Sequence, residues 1–354
     1  MLTNDPETPK AKRSLCCKLL LFLIILIFVF AGGIYWYVSR STDAAIITPI
    51  ARILDPRPLD AYTFDALSQR EPEASPITLE QTLSQGNTFI SQLFSFTTEG
   101  KRVTGQINLP ANYQATRSPA IIMLRGWVDP DNYQTGVGTK AAAAVFAQHG
   151  YITLAPDFLG YGGSDPEDND SFAARLKRPV TLIDLLASVN QLPYVDSTNI
   201  FLWAHSNGGQ IALSVLEITN FPYPTALWAP VSKPFPYSII YYTDESEDRG
   251  KALRKALAKF EATYDVDLYS IDRYFDRITA PVQIHQGTAD DAVPASWSND
   301  LVDVLKATKK IQEASGASAL DYTYYTYPGA DHNLRPGWDT AIARDLQFFN
   351  EYTK

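Results

Sequence analysis

The run Ile200-Phe201-Leu202-Trp203-Ala204-His205-Ser206-Asn207-Gly208-Gly209 decides the fold. Its apolar first half reads as a strand, and Gln210-Ile211-Ala212-Leu213-Ser214-Val215-Leu216 beyond it reads as a helix. A strand, a sharp turn with a serine at its apex and then a helix is the layout of a nucleophile elbow. Small residues two before the serine (Ala204) and two after it (Gly208) let the backbone turn that tightly without side-chain collision. Such a turn exposes the hydroxyl above a sheet, and the rest of the chain must then supply a base and an acid.

Working outward, strands and helices alternate. Phe89 to Phe96, a Glu99-Gly100-Lys101 turn and Val103 to Pro110 predict an antiparallel hairpin. Ala120 to Leu124, Tyr151 to Ala155, Thr225 to Ala229, Val282 to His285 and Asp321 to Tyr327 are short apolar strands. Helices are expected around Thr139 to His149 and through Leu182, Leu185, Leu186 and Val189. This alternation predicts an α/β fold: a mostly parallel sheet with helices on both faces and an N-terminal antiparallel hairpin. Residues 232–278 interrupt the rhythm with a charged helical stretch (Lys251 to Phe260) and tyrosines including Tyr237, Tyr241, Tyr242, Tyr264 and Tyr269, and they are expected to form a cap insertion over the carboxyl ends of the strands.

The chain has 354 residues, 45% of them hydrophobic, enough to bury a large core. Residues 1–40 carry five Lys/Arg against two Asp/Glu, while the remainder carries 25 against 37. The body is acidic, which argues against nucleic-acid binding. The only cysteines, Cys16 and Cys17, lie outside the body, so a disulfide within it, a thiol nucleophile and a Cys-ligated metal are excluded there. Nothing in the chain fixes an oligomeric state.

Leu19 to Ser39 is a run of 21 uncharged, largely apolar residues. At about 1.5 Å per residue it matches a hydrocarbon core of about 30 Å. Lys10, Lys12, Arg13 and Lys18 precede it and only Arg40 follows closely, which predicts a cytoplasmic N-terminus and an exported body. The run continues through Ile34 to Val38, which favours an uncleaved anchor over a signal peptide. The expected organisation is a cytoplasmic tail (1–18), a transmembrane helix (19–39), a proline-containing stem (40–86) and a catalytic body (87–354). The stem is too short to hold a propeller or another sizeable accessory domain.

A serine hydroxyl needs a base to take its proton and usually a carboxylate to orient that base. In this architecture the chain order is serine, acid, histidine. Of the four histidines, His149 precedes the serine, His205 adjoins it and should point away, and His285 sits inside a predicted strand. His332, in the loop after the last apolar strand, is the base by elimination. The acid falls in Gln286-Gly287-Thr288-Ala289-Asp290-Asp291-Ala292-Val293-Pro294, where spacing favours Asp290 over Asp291 only slightly. Asp331 is expected to structure its loop. The oxyanion needs preorganised donors; the backbone N–H groups of Asn207 and of Trp127, in Leu124-Arg125-Gly126-Trp127-Val128, are the candidates.

These motifs, together with Gln106 to Pro110, Pro156 to Ser164 and Gly329-Ala330-Asp331-His332, resemble the α/β-hydrolase superfamily. The resemblance is to the prolyl oligopeptidase catalytic domain and its dienelactone-hydrolase-like relatives, over about Asn87 to Tyr352. It implies that the first aspartate of the Asp-Asp pair, Asp290, is the acid. Ala204 stands where such proteins usually have glycine. The expected activity is cleavage of a small ester or peptide by Ser206, Asp290 and His332 through an acyl-enzyme, with no metal or cofactor. The competing expectation is a hydrolase-fold binding or adhesion protein without catalysis.

Overall fold

The computed structural model describes residues 57–243, 246–316 and 319–354, with Leu26, Val29, Phe30 and Gly33 as isolated helical positions before them. The chain divides into two units, Met1–Pro58 and Leu59–Lys354. The expected tail (1–18) and, apart from those four positions, the expected span (19–39) lie outside the described residues. Among the described residues no helix is long and apolar enough to cross a membrane.

The second unit begins with α1 (Phe64–Ser68), β1 (Thr78–Gln85), β2 (Phe89–Thr98), β3 (Lys101–Pro110) and β4 (Ser118–Leu124). It continues with α2 (Lys140–Gln148), β5 (Ile152–Pro156), α3 (Ser171–Leu176), α4 (Arg178–Val189), β6 (Val195–His205) and α5 (Asn207–Thr219). The rest comprises β7 (Thr225–Trp228), α6 (Tyr237–Ile240), α7 (Lys251–Glu261), β8 (Val282–Gly287), α8 (Ala295–Ser315), β9 (Tyr322–Tyr327) and α9 (Trp338–Glu351).

These strands form one nine-stranded sheet in the order β1-β2-β3-β5-β4-β6-β7-β8-β9. The first three pair antiparallel, β3 meets β5 antiparallel, and every pair from β5 to β9 is parallel. The predicted hairpin is β2–β3, closed at Glu99-Gly100, where both residues have positive φ (47° and 72°). Two left-handed residues give a turn whose twist matches that of the flanking strands.

Alternation along the central strands separates two cores. Ile122 and Leu124 of β4 and Leu202 and Ala204 of β6 face one side, with α4 and α5. Ile121, Met123, Phe201 and Trp203 face the other, with Phe146 of α2 and Phe348 and Phe349 of α9. Helices on both faces are what a parallel sheet needs to bury both sides.

The expected stem over 40–86 is corrected from residue 57 onward. Leu59, Phe64 and Leu67 are buried against the body. Arg70 forms a two-pronged pair with the fully buried Asp184 of α4 at 2.7 and 3.0 Å. That carboxylate also accepts from the Glu73 N–H and the Thr98 hydroxyl. An ion pair out of water holds only when its remaining hydrogen-bonding capacity is filled, as it is here. Residues 78–85 then add the edge strand β1.

The order of strands reverses around β4, so the carboxyl ends of β4 and β6 lie side by side, with Leu124 paired in register to Ala204. Ligand sites in open α/β sheets form at such switch points. The loops after β4, β6, β8 and β9 all leave from this rim.

Candidate active site

Ser206 occupies the expected turn with φ 56° and ψ −122°, a conformation that L-residues seldom adopt. It is held from both sides. Its N–H donates to the Trp228 carbonyl at 2.9 Å, and its carbonyl accepts from Val231 N–H at 3.0 Å and Gly209 N–H at 2.9 Å. Glycines make the turn possible. A Cβ on Gly208 would run into the Leu124 carbonyl and stand 2.8 Å from the Arg125 carbonyl oxygen, and one on Gly209 would stand 2.5 Å from Pro230 Cβ.

The same close approach brings the loop after β4 against the serine: a Cβ on Gly126 would lie 2.9 Å from Ser206 Cβ and 3.4 Å from its Oγ. Gly126 therefore keeps the backbone of Trp127 close to the elbow, although the Trp127 side chain itself is exposed. Among the described residues, the N–H groups of Trp127 and Asn207 donate to no other group.

Asp290 and His332 are brought together across 42 positions of chain, with His332 Nδ1 to Asp290 Oδ2 at 2.9 Å. The other oxygen, Oδ1, accepts from Ala292 and Val293 N–H at 2.9 and 2.8 Å, and Gln286 Nε2 donates to Oδ2 at 3.1 Å. Burial pushes the Asp290 carboxyl up. The His332 hydrogen bond and the two backbone amides outweigh it, so the group lies below its ordinary range. Asp291 is exposed, and Asp331 accepts from Asn333 and Arg335 N–H to shape its own loop. The two loops are joined by Ala289 N–H to the Ala330 carbonyl and Thr288 N–H to the Tyr327 carbonyl. Among the described residues no hydrogen bond links Ser206 Oγ to His332.

His205 is the residue that sequence reasoning passed over. Rather than merely pointing away, its ring lies 4.5 Å from that of His332, centre to centre, and its Nε2 is 2.9 Å from the His332 carbonyl oxygen. Burial and the neighbouring His332 lower its pKa to about 4, so it is neutral and donates from Nε2. Beneath it, the fully buried Asp345 of α9 accepts from the indoles of Trp203 and Trp228, from Gln283 and from His285. His285 is thereby a structural group, as its place within a strand suggested.

A cleft of about 60 Å³ opens beside Asn207. Gln210, Ile211 and Ser214 of α5 line one side, and Phe64 and Leu67 line another. The remaining walls are Arg175 and Arg178 together with Phe235, Ile239 and Tyr269 of the 232–278 segment. Among the described residues no group of three or more His, Cys, Asp or Glu is arranged to hold a metal ion.

This sheet, with a strained serine at the carboxyl end of its central strand, has the α/β-hydrolase fold. Residues 138–354, more than half of the chain, match the prolyl oligopeptidase family, and the chain belongs to that family. A Schizosaccharomyces pombe protein described as a candidate dipeptidyl aminopeptidase is 28% identical over 165 residues, which are 46% of this chain and 17% of that relative. The match thus spans well under a fifth of the relative's length. Acetyl xylan esterase 1 from Thermoanaerobacterium sp. superposes with TM-score 0.54 at 16% identity, over 84% of this chain and 95% of that one. A puromycin-hydrolysing peptidase of Mycobacterium tuberculosis gives TM-score 0.53 at 19% identity, over 78% of this chain and 39% of its own. Dipeptidyl peptidase 4 of Porphyromonas gingivalis gives 0.51 at 16%, over 79% and 36%.

Proposed function

We propose that the protein cleaves an ester or peptide bond through a triad of Ser206, His332 and Asp290. The observation that carries this reading is the Asp290–His332 pair at 2.9 Å, on the same rim as the strained Ser206 turn. His332 takes the Ser206 hydroxyl proton at Nε2 as Oγ bonds to the substrate carbonyl carbon. Asp290 holds the ring by its Nδ1–H and stabilises the imidazolium. The negative charge that develops on the carbonyl oxygen meets the free N–H groups of Asn207 and Trp127. His332 then passes the proton to the leaving alkoxide or amine as the bond breaks, leaving an acyl-serine. A water that gives its proton to His332 attacks the acyl carbon, and as the bond from that carbon to Oγ breaks His332 returns the proton to Oγ and the acid leaves.

The 232–278 segment serves as a cap over the acyl side of this site, and its Phe235, Ile239 and Tyr269 in the cleft support that role. The apolar segment 19–39 anchors the enzyme, with Lys10, Lys12, Arg13 and Lys18 on the cytoplasmic side and the catalytic body outside. The names of the relatives fit both ester and amide substrates.

Ser206→Ala tests the proposal. It is expected to lose both turnover of aryl esters and aminoacyl amides and covalent labelling by a fluorophosphonate, with the circular dichroism of the folded enzyme unchanged. Turnover retained in this variant overturns the assignment.

A further inference from the structure

The cleft beside Asn207 contains two arginines in a largely apolar slot. Arg175, on α3, and Arg178, at the start of α4, are three residues apart and both line it. Arg175 makes no hydrogen bond or ion pair among the described residues. The nearest carboxylate to Arg178 is Glu167, at 3.9 Å, beyond hydrogen-bonding distance. Lys177, between them, turns elsewhere and pairs with Asp168 at 2.8 Å.

Other arginines of the body show what a satisfied guanidinium looks like here. Arg70 pairs with Asp184 at 2.7 Å, Arg102 with Glu80 at 2.6 Å and Arg273 with Asp267 at 2.8 Å. Both side chains are half-buried rather than sealed, so each guanidinium keeps donors free for an incoming anion. Burial and the adjacent Arg178 pull Arg175 down to about 10, and burial lowers Arg178 as well, so both remain charged at neutral pH. In a body that is acidic overall, this is local positive charge with Glu167 as the one carboxylate near it among the described residues.

The side of the substrate follows from what the cleft lacks. Its lining includes Asn207, whose N–H faces the carbonyl oxygen in the proposed mechanism, but no residue of the His332 loop. The leaving group must lie against His332 to receive its proton. The cleft therefore takes the acyl portion.

We propose that Arg175 and Arg178 are specificity residues that bind a carboxylate on the acyl group, so that the preferred substrates carry a short acyl chain ending in an anion. A guanidinium fork matches a carboxylate in two-pronged geometry, and a second one beside it neutralises the remaining charge. The apolar walls of the slot, Phe64, Leu67, Ile211 and Ile239, suit the methylenes of a short chain, as in a glutaryl or acidic aminoacyl group. The inference rests on the serine-hydrolase reading given above and assigns its substrate class.

Hydrolysis of the 4-methylumbelliferyl monoester of glutaric acid is compared with that of the valerate ester, which has a methyl in place of the carboxylate. Uncatalysed hydrolysis is subtracted, and fluorophosphonate labelling of Ser206 is followed in parallel. The full-length enzyme is expected to show a kcat/KM for the glutarate ester higher by about tenfold or more. Arg175→Gln with Arg178→Gln should bring the ratio to about one, and Arg175→Lys should retain part of the preference. Equal or inverted preference in an enzyme that labels at Ser206 overturns the carboxylate pocket alone, as does a preference that survives in the labelled double glutamine variant. Failure of the unmodified enzyme to label overturns the serine-hydrolase reading and this inference with it.

Discussion

Gln286 Nε2 donates to Asp290 Oδ2 at 3.1 Å, the same oxygen that accepts from His332 Nδ1. Gln286 lies at the end of β8 and is itself fixed, because its Oε1 accepts from the Ser298 hydroxyl at 2.7 Å. The chain Ser298–Gln286–Asp290–His332 thus runs from α8 to the proposed base and sets the plane of the carboxylate. Gln286 is a positioning residue on this geometry. Gln286→Leu should lower kcat by about tenfold to a hundredfold and leave KM nearly unmoved, because binding does not depend on the carboxylate plane. Asp290→Asn should cost far more, about ten-thousandfold in kcat, by favouring the wrong tautomer of His332. Steady-state kinetics of the two variants check both; a Gln286 variant that changes only KM contradicts the assignment.

Gly208 has no room for a methyl group. Its Cβ would meet the carbonyl oxygens of Leu124 and Arg125, the backbone that leads into the Trp127 loop. Because backbone cannot rotate away as a side chain can, Gly208→Ala must push the β4 loop and the elbow apart. The expected result is a loss of about 1–3 kcal/mol in stability, with a fall in kcat as the Asn207 and Trp127 amides separate. Urea denaturation and aryl-ester turnover measured on one preparation check the pair of effects.

His205 gives the fold an acid-sensitive point. Its pKa falls from 6.5 to about 4 in the native protein because burial, reinforced by His332, disfavours the cation. Below pH 6.5 the unfolded chain takes up this proton while the native state does not, so stability is lost as pH falls from about 6.5 to about 4. The slope is about 1 kcal/mol per pH unit. His205→Gln removes the titrating group and should flatten that part of the profile of denaturation midpoint against pH. An unchanged slope in the variant refutes the assignment.

The parts of this molecule that are legible in its sequence share a physical cause: each is written in local pattern. The β2–β3 hairpin shows as alternation around Glu99-Gly100, and the elbow shows as a strand, a serine and two glycines in ten residues. His332 follows from chain order because the sheet is parallel and its loops leave one rim, whereas order alone leaves Asp290 and Asp291 side by side and the resemblance to the family chooses between them. Leu59, Phe64 and Leu67 give no such pattern. They are isolated apolar residues among prolines and polar groups, and only a surface built by distant helices buries them. Strand β1 is mostly polar because it is an exposed edge. His205 and the Arg175–Arg178 pair are likewise visible only in three dimensions, since what distinguishes them is the partner each has or lacks.

Glu217 provides a pH dependence of opposite sign. It lies near the C-terminal end of α5, fully buried, with neither carboxylate oxygen hydrogen-bonded. Burial raises its pKa well above the ordinary carboxylate value; Asp272 and Asp276 add to the rise and Arg277 opposes it. The native state therefore keeps the proton that the unfolded chain releases above pH 4.5. Stability attributable to this group falls as pH rises from there, by about 1 kcal/mol per pH unit until the native group ionises too. Glu217→Gln has the same shape and no proton to lose. It should match the parent near pH 4.5 and become progressively more stable than it toward pH 8. Chemical denaturation at pH 5 and pH 8 decides the matter, since a purely steric effect of the substitution would shift both midpoints equally, whereas ionisation makes the gap widen with pH.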